Sequence, residues 1–195
     1  PSESLATCRT FAKKPHNAPL KVSDWKPSKD DGWFQLSGKV NETSAGDLLA
    51  KMLNWHEGRK SDEKGTFVVY LDSIGGNVGD ALAIRGSMNI LRRLGHKVIV
   101  VILGRASSCA GVIATGGDEV YMDGEAWFMI HAVKSSSEGL GEDLCAEGDY
   151  VKRLNEQTFR LLATPYWSSA EIAAEVKDKT VLWLSANDVY MVTPF

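Results

Sequence analysis

Two short runs, Phe67-Val-Val-Tyr-Leu71 and Val98-Ile-Val-Val-Ile-Leu103, are apolar throughout. A strand with one wet face alternates apolar and polar residues, so unbroken runs of this length belong to strands covered on both faces. Between them, Ala81, Ile84, Met88 and Leu91 recur at helical spacing in a segment from Val78 to Leu94. Strand, amphipathic helix and second buried strand, in that order, describe a crossover unit of a parallel sheet. The chain is therefore expected to be an α/β protein built on a mostly parallel sheet, with cover on both faces.

The same alternation extends outward. Trp33 to Leu36 reads as a strand, and Ser44 as the cap of a helix that buries Leu48, Leu49, Met52 and Trp55 before Gly58. Beyond Leu103 an Ala/Gly-rich helix is expected after Ser108, then strands Glu119 to Met122 and Trp127 to Ile130. Ser135 to Gly141 has the composition of a flexible connection, and Leu144, Val151, Leu154 and Leu161 stripe a long helix able to project from the body. A helix over Ser169 to Lys177 and a last strand over Val181 to Leu184 complete the pattern. Residues 1–32, with Pro15, Pro19 and Pro27 among polar residues, read as an irregular arm, leaving 33–195 as one domain.

Composition narrows the function classes. The chain has 195 residues, 44% hydrophobic and 24% charged, enough for a sizeable core. A net charge of -3, with no dense Lys/Arg block, weighs against nucleic acid and anionic membrane surfaces as partners. No apolar stretch approaches the ~20 residues of a membrane span. Cys8, Cys109 and Cys145 have no metal-ligand spacing, so no metal site is expected and reduced thiols are the default. The cytoplasm is the expected compartment. The alternative is a periplasmic or exported protein trimmed of its signal, since the chain opens on Pro1, with two of the cysteines bonded.

The chemistry concentrates in two places. Ser108 lies in Gly104-Arg-Ala-Ser-Ser108-Cys-Ala-Gly111, among small residues after a buried strand, and His131 closes the apolar run Trp-Phe-Met-Ile-His131. A serine hydroxyl becomes a nucleophile only when an imidazole can take its proton, and it needs an uncrowded turn to reach a substrate. Alone, Ser108 would read as a cap or packing residue and His131 as a satisfied core histidine. His16, His56 and His96 lie in polar or turn-like contexts and are expected to face solvent. Cys109 competes as a nucleophile but should behave as a small buried hydrophobe. Gly75-Gly76-Asn-Val-Gly79 follows a strand and opens a helix, where backbone N–H groups can meet negative charge. It lacks the spacing of a dinucleotide or phosphate loop, so an oxyanion hole fits better, against the plain reading of a tight turn. Carboxylates able to orient the imidazole are Glu142, Asp143, Asp149, Asp178 and Asp188, with Asp178 favoured by its place between a helix and the last apolar run.

Taken together these segments resemble the proteolytic subunit family of the Clp protease, within the Clp/crotonase superfamily and including its phage prohead-protease branch. The likeness runs from about Phe34 to Ala186. Phe34-Gln-Leu-Ser-Gly-Lys-Val resembles the family's opening strand and Leu71-Asp-Ser-Ile-Gly-Gly its Ser-Pro-Gly-Gly loop, with Ile74 in place of proline. Gly104-Arg-Ala-Ser-Ser resembles its nucleophile turn, and Met129-Ile-His131 its Met-Ile-His. The resemblance implies stacked βαβ units, with a handle helix over about Glu142 to Ala163 protruding between subunits of a homo-oligomeric ring. It implies a serine endopeptidase acting on peptides or unfolded proteins without a cofactor. Ser108 would be the nucleophile, His131 the base, and Asp178 the acid, shifted from Val181, which stands at the family's distance before Trp183-Leu-Ser-Ala186. The N–H groups of Gly76 and Cys109 would form the oxyanion hole. The arm before Trp33 does not resemble the family's N-terminal segment, which weighs against docking to an ATP-driven AAA+ unfoldase. Two competing readings share the fold: an acyl-CoA hydratase or isomerase, and a non-catalytic subunit or scaffold.

Overall fold

The structure is a computed structural model that describes residues 21–60, 63–134, 141–163 and 167–192. Most of the arm and of the connection before the long helix, expected at 1–32 and Ser135–Gly141, lies outside the described residues.

The strands centre on β-branched, aromatic and other apolar residues, and the helices that follow Asn41, Asn77 and Ser168 begin where those side chains accept an otherwise unpaired backbone N–H. β1 (Gly32–Val40) runs into α1 (Glu42–Glu57), and β2 (Thr66–Gly76) into α2 (Val78–Arg93). β3 (Lys97–Ser107) leads to the short α3 (Cys109–Ala114), then β4 (Glu119–Met122) and β5 (Trp127–His131). The long α4 (Gly141–Leu162), α5 (Ser169–Lys179), β6 (Val181–Ser185) and α6 (Ala186–Val192) complete the described chain. Asn41, not Ser44, caps α1. Its Oδ1 accepts the Ser44 N–H at 2.9 Å, while Ser44 Oγ accepts the Asn41 N–H at 3.0 Å, so the expected cap is the reciprocal partner three residues inside.

The sheet order is β1-β2-β3-β5-β6, with β4 paired to the first half of β3 and β5 to the second half. All pairings are parallel except β5 with β6. Alternation along the strands explains the unbroken apolar runs. Phe67, Val69, Leu71, Val98, Val100 and Ile102 point into the main core under the helices. Val68, Ile99 and Val101 point the other way, into a smaller cluster with Tyr121, covered by Val22, Trp25 and Tyr70. Trp25 tilts against Tyr121 with ring centroids 5.3 Å apart, and Lys21 bridges to Met122, so this part of the arm forms the lid of the second face.

That lid stops short. Ile74 of β2, Leu103 of β3, Trp127 of β5 and Trp183 of β6 remain exposed, so the expected cover on both faces is complete on the helical side only. The chain gives the second face one short segment where the first receives helices. The histidines also depart from expectation. His96 is 5% exposed, and its Nδ1 accepts the Gly65 N–H at 3.2 Å while its Nε2 meets His56 Nδ1 at 2.8 Å. A turn-like sequence context hides a histidine when the turn folds under a neighbouring helix, here against Trp55 of α1.

Candidate active site

The site grows from the C-terminal ends of β2, β3 and β5. The last residues of β3, Arg105 to Ser107, pair with Trp127 to Met129, and the Ser108 N–H continues that ladder by donating to Met129 O at 2.8 Å. The chain then turns abruptly into α3. Ser108 takes up φ 57° and ψ -128°, a conformation that side chains seldom adopt, and it persists because a strand on one side and a wholly buried helix on the other determine it. The result is a hydroxyl held out from a sharp bend.

Gly75 makes the bend possible from beside it. At φ 84° it packs on the elbow so closely that a Cβ there would stand 2.5 Å from Ser107 O and 2.7 Å from Ser108 Cβ. Gly76 lies under the same constraint from the other strand, where a Cβ would meet Val40 O at 2.1 Å. Buried Ser73 braces the loop, donating through Oγ to Gly38 O at 2.6 Å and accepting the Gly75 N–H at 3.1 Å. The glycine segment is thus a fixed wall beside Ser108.

His131, the last residue of β5, reaches across to the elbow. Its Nε2 lies 2.7 Å from Ser108 Oγ, and its Nδ1 lies 2.5 Å from the carbonyl oxygen of Ala132. A carbonyl can only accept, so Nδ1 carries the proton and Nε2 presents its lone pair to the serine hydroxyl. That is the tautomer in which an imidazole can take the hydroxyl proton.

Asp178 is placed elsewhere. It lies in the last turn of α5, beside a shallow cleft lined by Ala170, Glu171, Ala174 and Glu175. The residue opposite His131 in the β5–β6 register is Val181. The structure brings Ser108, His131, Gly76 and Cys109 together and does not bring Asp178 to the ring.

Cys109 is 2% exposed, and burial pushes its thiol up to about 11 despite backbone N–H groups, including that of Gly76, drawing it down. A thiol of that acidity is protonated near neutral pH, which leaves Ser108 as the nucleophile candidate of the pair. Gly76 and Cys109 line the same pocket as Ser108 and His131.

Around the pair lies a pocket of about 90 Å³ whose walls include Val78, Ile130, Thr158 and Leu162. The Thr158 hydroxyl is buried without a hydrogen-bond partner. Neither the Ala132 carbonyl nor Thr158 could be found from sequence. A backbone acceptor leaves no residue signal, and a threonine within a helical stripe reads as filler.

The Clp protease family model matches residues 28–191, from the segment before β1 into α6. The chain belongs to the Clp protease family. This Clp family member is 25% identical over 135 residues to an ATP-dependent Clp protease proteolytic subunit of Ligilactobacillus salivarius, an alignment covering 68% of the chain and 66% of that protein. A subunit of the same name from Chlorella vulgaris is 26% identical over 128 residues, covering 65% and 61% respectively. One from Streptococcus agalactiae is 24% identical over 162 residues, covering 81% and 79%. The Clp family member thus spans just under two thirds of the first two relatives. The glycine loop, the serine elbow and the strand-end histidine all lie within the matched segment. No helix among the described residues is long and apolar enough to cross a membrane.

Proposed function

We propose that the chain is a serine-type endopeptidase that hydrolyses peptide bonds of peptides or unfolded proteins through an acyl-enzyme. The observation that carries this reading is the 2.7 Å contact of Ser108 Oγ with His131 Nε2, in the tautomer that the Ala132 carbonyl imposes. In the proposed reaction the Ser108 hydroxyl proton passes to Nε2 as Oγ bonds to the substrate carbonyl carbon. The resulting oxyanion accepts hydrogen bonds from the N–H groups of Gly76 and Cys109. His131 then returns the proton to the leaving amine, and water, activated by the same ring, releases the acyl group. No cofactor takes part in these steps. Asp178, the acid expected from sequence, is the alternative holder of the imidazole.

The oligomeric part of the reading rests on α4. Its first half is solvent-facing, with Leu144 44% and Tyr150 57% exposed, while Leu154, Phe159 and Leu162 in its second half are buried in the body. Apolar residues displayed on a helix that leaves its own domain suit a contact with a second subunit, and we take the assembly to be a homo-oligomeric ring.

The test is covalent labelling with a fluorophosphonate, followed by mapping of the adduct. The expected adduct is on Ser108, with peptidase activity lowered on the order of 10⁴-fold or more in Ser108→Ala. Asp178→Asn should stay within a few-fold of the parent protein. A loss as deep as that of Ser108→Ala would instead give Asp178 the acid's role. An unlabelled protein that still assembles would be a non-catalytic subunit, and micromolar binding of acyl-CoA would favour a hydratase or isomerase.

A further inference from the structure

The imidazole's proton-bearing side ends on a peptide group, and that peptide group does not end there. The carbonyl of Ala132 and the N–H of Val133 belong to one planar amide. On its far side the Val133 N–H donates to Asn155 Oδ1 at 2.7 Å, and Asn155 Nδ2 donates to Val151 O at 3.1 Å, one turn back along α4. An N–H on one end and a carbonyl on the other leave a single orientation for the Asn155 amide, with its oxygen towards the loop.

The groups therefore form an unbroken line: Asn155 Oδ1, the Ala132–Val133 peptide, His131 Nδ1–H, His131 Nε2 and Ser108 Oγ. We propose that Asn155 is a positioning residue for the catalytic histidine, acting through the Ala132–Val133 peptide, whose carbonyl takes the position against Nδ1 that a carboxylate would occupy. This rests on the serine-peptidase reading above. The physical argument has two parts. Oδ1 fixes the plane of the peptide, so the Ala132 oxygen stays aimed at Nδ1 and keeps the proton on that nitrogen. Accepting from the N–H also draws electron density onto the carbonyl oxygen, strengthening it as the acceptor for an imidazolium formed during reaction. Val181, opposite His131, offers the ring no polar partner from β6. The arrangement is weaker than a carboxylate because the peptide bears no net charge.

Two experiments decide it. In the first, the nitrogen chemical shifts of His131 in the intact protein, assigned against His131→Gln and recorded above the ring's titration, should show a proton fixed on Nδ1. A proton on Nε2, or averaging between the nitrogens, overturns the relay whether or not the protein is a peptidase. In the second, kcat and the pH profile of fluorophosphonate labelling are compared for Asn155→Leu and Asn155→Asp. Asn155→Leu should lower kcat on the order of ten-fold with little change in KM, the loss of one well-placed hydrogen bond, and move the labelling midpoint to lower pH. Asn155→Asp keeps the acceptor and adds charge, so it should restore most of the rate and move the midpoint upward. Two variants that match the parent, or two that lose rate equally with an unmoved midpoint, refute the assignment. Failure of Ser108 to label at all refutes the peptidase reading instead, and the nitrogen shifts still report on the relay.

Discussion

At the scale of single residues, neighbours rather than side-chain type decide which histidine is placed for the proposed chemistry. His96 and His131 each have both ring nitrogens engaged, but His96 meets a backbone N–H and another imidazole, whereas His131 meets a hydroxyl that can give up its proton. Burial first, then His56, Lys64 and Arg59, hold the His96 imidazole below its ordinary value of 6.5. The consequence for stability has a definite sign. Below 6.5 the unfolded chain binds a proton that folded His96 resists, so stability falls as pH drops through that value and levels off below the depressed folded value. Denaturant midpoints measured from pH 8 to pH 5 should decline on the acid side, and His96→Gln should flatten that part of the curve. An unchanged slope in the variant would remove His96 from the account. None of this was legible in the sequence, where the Gly95-His96-Lys97 turn looks wet.

Among elements, the elbow between β3 and α3 is the most constrained junction. Its strand end is held by β5 through the Ser108 N–H, its helix is buried over its whole length, and Gly75 of β2 leaves room for the bend. Gly75→Ala would place a methyl group on the Ser108 side chain at a φ that disfavours any Cβ. The backbone strain alone is about 1–3 kcal/mol, and a displacement of the hydroxyl by about 1 Å would slow labelling of Ser108 on the order of 100-fold. A denaturation curve and a labelling time course on this variant test both; parent-like values in each would show that the glycine contact is slack. The elements themselves were readable where the pattern is strong: β4, β5, α2 and α5 fall close to their expected bounds, and β2 and β3 begin within one residue of theirs. The ends were not. β2 and β3 extend into segments rich in Gly, Ser and Asp because neighbouring strands supply their partners, and sequence shows the residues but not those partners.

On the scale of the whole molecule, the uneven cover of the sheet leaves apolar residues exposed on its second face. Helices close one face, the segment around Trp25 closes part of the other, and α4 carries Leu144 and Tyr150 away from the body. If the projecting half of α4 holds an assembly together, Leu144→Asp with Tyr150→Asp should shift sedimentation to smaller species while the circular dichroism spectrum stays unchanged. Parent-like sedimentation would move the contact elsewhere, with the exposed pair Trp127 and Trp183, ring centroids 6.4 Å apart, as the next surface to alter.

The chain by itself determined the α/β alternation, the family, and the serine, histidine and glycine loop of the candidate site, because each is written as a local pattern of apolar period, small residues and motif order. Only the tertiary structure decided what holds the imidazole. The Ala132 carbonyl and the Asn155 amide act through position alone, and position is set by how α4 packs beside the end of β5. A backbone oxygen has no letter in the sequence, and a carboxylate such as Asp178 has one wherever the fold puts it.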